Sequence, residues 1–197
     1  MLSYLTTLGV SPEIQTFFKI APHGFSFGDD LEYFSEELHI VPTTENVWTA
    51  GVANAREVVI TSSAMESVAY LCLNSYRYLL PEALLFIALG NMPHPRQFEQ
   101  IRPSCQKRKI TLAFGNDVTG RLADIIVAAG IREKPVQLRQ SPEGIVVETT
   151  NHKFTADPES LTLNIFEKAT GIRTKIRTRK PNIHNTFLDQ LLYEHTS

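Results

Sequence analysis

Val58-Val-Ile-Thr-Ser-Ser-Ala-Met-Glu-Ser-Val-Ala69 is the stretch on which the fold turns. Its first four residues are apolar or β-branched, so they suit a strand buried on both sides. Ser62-Ser63 interrupts the run. Beyond it Met65, Val68, Ala69, Cys72, Tyr76 and Leu79 recur at helical spacing, and Pro81 is the expected stop. The alternation continues. Leu84-Leu-Phe-Ile-Ala-Leu89 reads as a second buried strand closed by Gly90, and residues 95–106 as a polar helix limited by Pro103. Ile110-Thr-Leu-Ala-Phe114 forms a third strand and runs into Gly115-Asn-Asp-Val-Thr-Gly120. A helix follows with Leu122, Ile125, Ile126 and Ala129 on one face and Gly130 as its C′ residue; Val136-Gln-Leu138 is the expected fourth strand. All-apolar strands alternating with helices predict an α/β, mainly parallel sheet with helices on both faces over residues 57–140.

The flanks differ from this core and read as small α+β appendages, residues 1–56 and 141–197. Ser11-Pro12-Glu13 is a helix cap and first turn, and residues 21–52 read as short strands and loops. After the core, Gly144-Ile-Val-Val-Glu-Thr-Thr150 and His152-Lys-Phe-Thr155 predict a hairpin. Asp157-Pro158 opens a helix containing Leu161, Leu163, Ile165 and Phe166, and an amphipathic helix around Phe187, Leu188, Leu191 and Leu192 closes the chain.

With 197 residues the chain can bury a sizeable core, and its formal charge of -2 argues against a generally cationic binder of nucleic acid, though a local basic patch is compatible with it. No apolar run is long enough for a membrane span. Cys72 and Cys105 stand far apart and outside any CxxC spacing. A cytoplasmic protein without membrane partners is expected. The six histidines show no metal-binding spacing, and neither a GxGxxG nor a P-loop is present.

In a parallel sheet the loops after successive strands open on the carboxyl edge, where α/β proteins hold ligands. The loop after the first strand brings Ser62, Ser63 and Glu66; the loop after the third brings Asn116, Asp117, Thr119 and Gly120, with Arg121 and Asp124 beyond. Should the two strands be neighbours, Glu66, Asp117 and Asp124 are candidate ligands of one Mg²⁺, since hard dications take carboxylate oxygens. Glu66 and Asp117 are the candidate catalytic pair. The competing expectation is an anion site built from Ser62, Ser63, Asn116, Gly120 and Arg121 at helix N-termini. Each also has a structural alternative: Asp117 as an N-cap, Glu66 as an acid favoured in a first helical turn.

The same two segments resemble the two motifs of the Toprim domain of topoisomerases and primases. Val59–Ala69 is similar to its first motif and Leu112-Ala-Phe-Gly-Asn-Asp-Val-Thr-Gly-Arg121 to its second. Tyr4–Glu13 resembles the helical element preceding the core in bacterial-type primases. Asn185-Thr-Phe-Leu-Asp-Gln-Leu-Leu192 resembles the segment that closes primase-like proteins of plasmids and phages, a class of mobile elements. The resemblance implies a Toprim-like (Rossmann-like) fold, Mg²⁺-dependent phosphodiester chemistry, and partners among DNA and replication or mobilisation proteins. Two positions depart from it. Ser62 stands where the family carries its Glu, and Gly115 where it carries the first Asp of Asp-x-Asp. Replacing two carboxylates weakens a dication site, so the expectation leans away from an enzyme and toward a degenerate site in a binding protein. An active enzyme with a rearranged acidic site and a small-anion module are the alternatives.

The candidate nucleic-acid contact is Arg173, Lys175, Arg177, Arg179 and Lys180. The first four alternate with Thr174, Ile176 and Thr178, so a strand would set them on one face, where they could track phosphates. A charged edge strand guarding against aggregation has the same pattern.

Overall fold

The computed structural model describes residues 2–78 and 83–196. In chain order its helices are α1 (Leu2–Thr7), α2 (Pro12–Phe17), α3 (Ala64–Asn74), α4 (Pro95–Cys105), α5 (Val118–Ile131), α6 (Leu163–Thr170) and α7 (Phe187–Thr196). The strands are β1 (Phe25–Phe27), β2 (Asp30–Phe34), β3 (His39–Ile40), β4 (Trp48–Gly51), β5 (Glu57–Thr61), β6 (Leu84–Ala88), β7 (Lys109–Leu112), β8 (Val136–Ser141), β9 (Gly144–Thr149), β10 (Lys153–Ala156) and β11 (Arg177–Thr178).

The central sheet has five strands in the order β11-β7-β5-β6-β4. β5 pairs in parallel with both β6 and β7, β11 is parallel to β7, and only β4 runs antiparallel. It is thus a mixed, mostly parallel sheet. Alternate residues of its strands feed two cores. Val59, Leu84 and Phe86 pack beneath α3, α7 and the N-terminal helices; Val58, Ile60 and Ile87 pack beneath α4, α5 and α6. The expected helices on both faces are present. β1, β2 and β3 form a separate antiparallel sheet.

Four local expectations need correction. Val136–Leu138 lies in β8, but β8 belongs to an antiparallel sheet with the hairpin, in the order β10-β9-β8. Its half-buried Val136 and Leu138 alternate with exposed Gln137 and Arg139, the period of a strand wet on one face, unlike β5 and β6, whose consecutive residues are buried. The helix after β5 reaches only Asn74 before a single 3-10 turn at Ser75–Arg77, so Tyr76 is 75% exposed instead of on the apolar face; Leu79 and Pro81 lie outside the described residues. Gly130 does not end α5 but lies within it, where a Cβ would fall 2.3 Å from the Phe98 ring, so it lets α4 and α5 cross closely. Asp157 closes a turn, accepting the Glu159 N–H, while Thr162 caps α6. The flanking segments are also not wholly separate: β4 and β11, from either side of residues 57–140, form the two edges of the central sheet.

Candidate functional site

β5 and β7 lie side by side, with Val59 opposite Thr111 and Ile60 opposite Leu112. From them α3 and α5 depart to opposite faces of the sheet. Between two such departures the backbone must part, which is where open α/β sheets form their crevice. A cleft of about 310 Å³ opens there, lined by Ser62, Asn91, Phe114, Asp117, Thr119 and Thr186 among others. Both loops singled out from the sequence meet at this edge.

The charged groups at the edge have separate partners. Glu66, 5% exposed, accepts the Phe187 and Leu188 N–H groups at 3.0 and 3.1 Å and thereby holds the N-terminus of α7. Asp117 caps α5, its Oδ1 accepting the Gly120 N–H at 2.7 Å. Asp124, 2% exposed, pairs at 2.6 Å with the ammonium of Lys180. That ammonium also donates to the carbonyls of Gly115 at 2.8 Å, Phe114 at 3.3 Å and Gly120 at 3.4 Å. The loop is tight enough that a Cβ on Gly120 would stand 2.1 Å from the Gly115 oxygen.

Lys180 therefore departs from its expected place in the phosphate-tracking row. It falls out of the odd-numbered alternation of Arg173 to Arg179 and turns inward beside Pro181. Its ammonium occupies the oxygen-lined position at the edge. A dication shared by Glu66, Asp117 and Asp124 would have to displace that ammonium and compete with three backbone donors, so the donor set does not fit the Mg²⁺ expectation. Among the described residues no group of three or more His, Cys, Asp or Glu is disposed to hold a metal.

The expected anion set is divided in the same way. Ser63 is buried and its Oγ accepts the Glu66 N–H at 3.1 Å. The next two N–H groups, of Ala64 and Met65, go to the carboxylate of Glu32 at 2.6 and 3.0 Å. Glu32 comes from β2, is wholly buried, and also meets His39 Nε2 at 2.9 Å. An internal carboxylate thus fills the place an anionic ligand would take at the start of α3. Arg121 donates to the Asn116 carbonyl and pairs with Glu159, both at 2.7 Å, and the Asn116 N–H goes to the Asn185 carbonyl. Only Ser62 of that set remains beside the cleft without such a role.

Sequence reasoning missed Glu32, although it left a trace. It shares the parity of Phe34 in Leu31-Glu32-Tyr33-Phe34, so an acid stands at an inward register position. A charge there needs buried partners.

Burial raises Glu66 to about 7, against the pull of the Leu188 and Phe187 N–H groups and the Thr186 side chain, with Asp189 adding to the rise. The folded state then keeps a proton that the unfolded state releases, so the stability it contributes falls as pH climbs from about 4.5 to about 7. Wild type is expected to lose roughly 2 kcal/mol more than Glu66→Gln between pH 5 and pH 8. Urea midpoints at the two pH values measure this, and parallel losses would contradict it. Burial also raises Asp124 and lowers Lys180, each shift opposed by the charge of the other. The thiols of Cys72 and Cys105 are free, and burial raises them to about 12 and about 11, so both stay protonated.

Arg173, Lys175, Arg177 and Arg179 are all exposed, while Thr174 is buried and Ile176 half-buried. Regular strand is confined to Arg177–Thr178, because Lys175 takes a left-handed φ of 57°. The row is therefore a bent edge, not the continuous strand expected. Beside it, Tyr76, Arg77, Arg179 and Asn182 surround a shallow depression, and the Arg77 guanidinium lies 4.9 Å from the centre of the Tyr76 ring.

Fold and edge together define an α/β protein with a mostly parallel mixed sheet, in which the acidic groups at or near the carboxyl edge are held by internal partners beside an open cleft. Comparisons with protein families, with curated proteins and with solved structures found no match. Among the described residues no helix is long and apolar enough to cross a membrane.

Proposed function

We propose that this chain is a Toprim-like, primase-related protein of DNA metabolism that binds nucleic acid without metal-dependent catalysis. The observation that carries the binding part is the exposure of Arg173, Lys175, Arg177 and Arg179 on the segment that runs into and just past the edge strand β11. Four exposed cations so close together repel one another on a free surface, and a phosphate backbone relieves that repulsion. The commitment of Glu66, Asp117 and Asp124 to internal partners supports the non-catalytic part. No base-reading constellation accompanies the row, so the binding is to backbone more than to sequence.

Fluorescence anisotropy with labelled DNA between 50 and 200 mM salt tests this reading. Log affinity should fall against log salt with a slope of roughly −3 to −4, as for about four phosphates neutralised. Neutralising Arg173, Lys175 and Arg177 together to Ala should reduce the slope by about 2–3 and weaken binding uniformly across sequences. Absent or salt-insensitive binding contradicts the proposal, and strand cleavage requiring Mg²⁺ would favour the enzyme reading.

A further inference from the structure

The Lys180 ammonium sits in a cradle made entirely of oxygen: Asp124 Oδ2 at 2.6 Å and the carbonyls of Gly115, Phe114 and Gly120 at 2.8, 3.3 and 3.4 Å. Carboxylate plus convergent backbone carbonyls is the donor chemistry that hard cations select. A second oxygen is in reserve, since Asp124 Oδ1 is buried and has no partner. Asp124 sits on α5, Gly120 on its first turn, and Phe114 and Gly115 on the loop leaving β7. The lysine arrives from a distant part of the sequence, two residues beyond β11 and 56 residues after the Asp124 it neutralises.

We infer that Lys180 is a built-in cation that closes a latent divalent-metal site, so that the chain dispenses with metal and removal of the ammonium opens the site to a hard dication. The ammonium neutralises Asp124 and satisfies the carbonyls that would otherwise coordinate an ion. In the same step it anchors the end of β11, since Arg179, between β11 and Lys180, donates its N–H to the Leu112 carbonyl. A metal would hold the loop and α5 together but would leave β11 unanchored; a tethered cation does both. The inference is independent of nucleic-acid binding, and either can fail alone.

Manganese is the probe, followed by loss of the free-ion signal in electron paramagnetic resonance and by thermal unfolding. Wild type should leave Mn²⁺ free at millimolar concentration. Lys180→Ala should take up one Mn²⁺ at least about tenfold more tightly than wild type and gain thermal stability as the ion is added. Lys180→Ala combined with Asp124→Asn should lose that gain. Lys180→Gln guards against a variant that does not fold: its amide can still donate to a carbonyl, and its oxygen can join the ion. Folding of Lys180→Ala in Mn²⁺ but not in chelator counts for the inference. Wild type binding Mn²⁺ as tightly as the variants overturns it. So does failure of both Lys180→Ala and Lys180→Gln, prepared in Mn²⁺, to hold the ion.

Discussion

Glu32→Ala is expected to lower stability by about 3–5 kcal/mol, a large effect for a residue in a peripheral three-stranded sheet. Its carboxylate is wholly buried and is the acceptor for the Ala64 and Met65 N–H groups. Truncation leaves both donors unsatisfied inside the protein, at about 1–3 kcal/mol each. It also removes a negative charge from the positive end of α3. Glu32→Gln keeps one acceptor oxygen and should lie between wild type and Glu32→Ala. Urea unfolding measures the difference, and hydrogen exchange at Ala64 and Met65 should quicken in the same order. A loss below about 1 kcal/mol would mean that water or rearrangement replaces the carboxylate, and that β2 does not hold the helix start.

The second large effect concerns the pair of Asp124 and Lys180. Asp124→Ala leaves an ammonium mostly buried among carbonyls, and Lys180→Met leaves a carboxylate only 2% exposed without its counter-charge. Each single change should cost about 3–5 kcal/mol. With Asp124→Leu measured alone as well, Lys180→Met combined with Asp124→Leu should cost less than the sum of those two singles, because an apolar pair needs no desolvation offset, and the coupling should be about 2–3 kcal/mol. Additive losses in urea unfolding would show that the two groups are not coupled. The two experiments address opposite ends of one arrangement, a carboxylate from β2 at the start of α3 and an ammonium from beyond β11 at the start of α5.

The parallel part of the fold was legible because β5, β6 and β7 each carry a short run of mostly apolar, consecutively buried residues that only a doubly covered sheet can bury. Their adjacency was less so, since neighbouring strands are not marked in a single chain. β8 was assigned to the wrong sheet although its alternating pattern was visible, because its place after α5 suggested continuation. At the site, the sequence pointed to the right loops and residues but not to what they face. Glu66, Asp117 and Asp124 all lie at or near the carboxyl edge, yet each meets a different partner. Those partners are long-range. Glu32 precedes Ala64 by 32 residues and Lys180 follows Asp124 by 56, so no local spacing reveals either contact. Lys180 was further disguised by adjacency to four exposed cations, from which only its broken parity separates it.

Diffraction from wild-type crystals soaked in Mn²⁺, recorded at the manganese edge, tests most directly whether the edge is filled from within. The expected result is density for the Lys180 ammonium between Asp124 and the Gly115 carbonyl, Glu32 at the N-terminus of α3, and no anomalous peak at either place. An anomalous peak bound by Glu66, Asp117 or Asp124, with Lys180 displaced to solvent, would contradict the account.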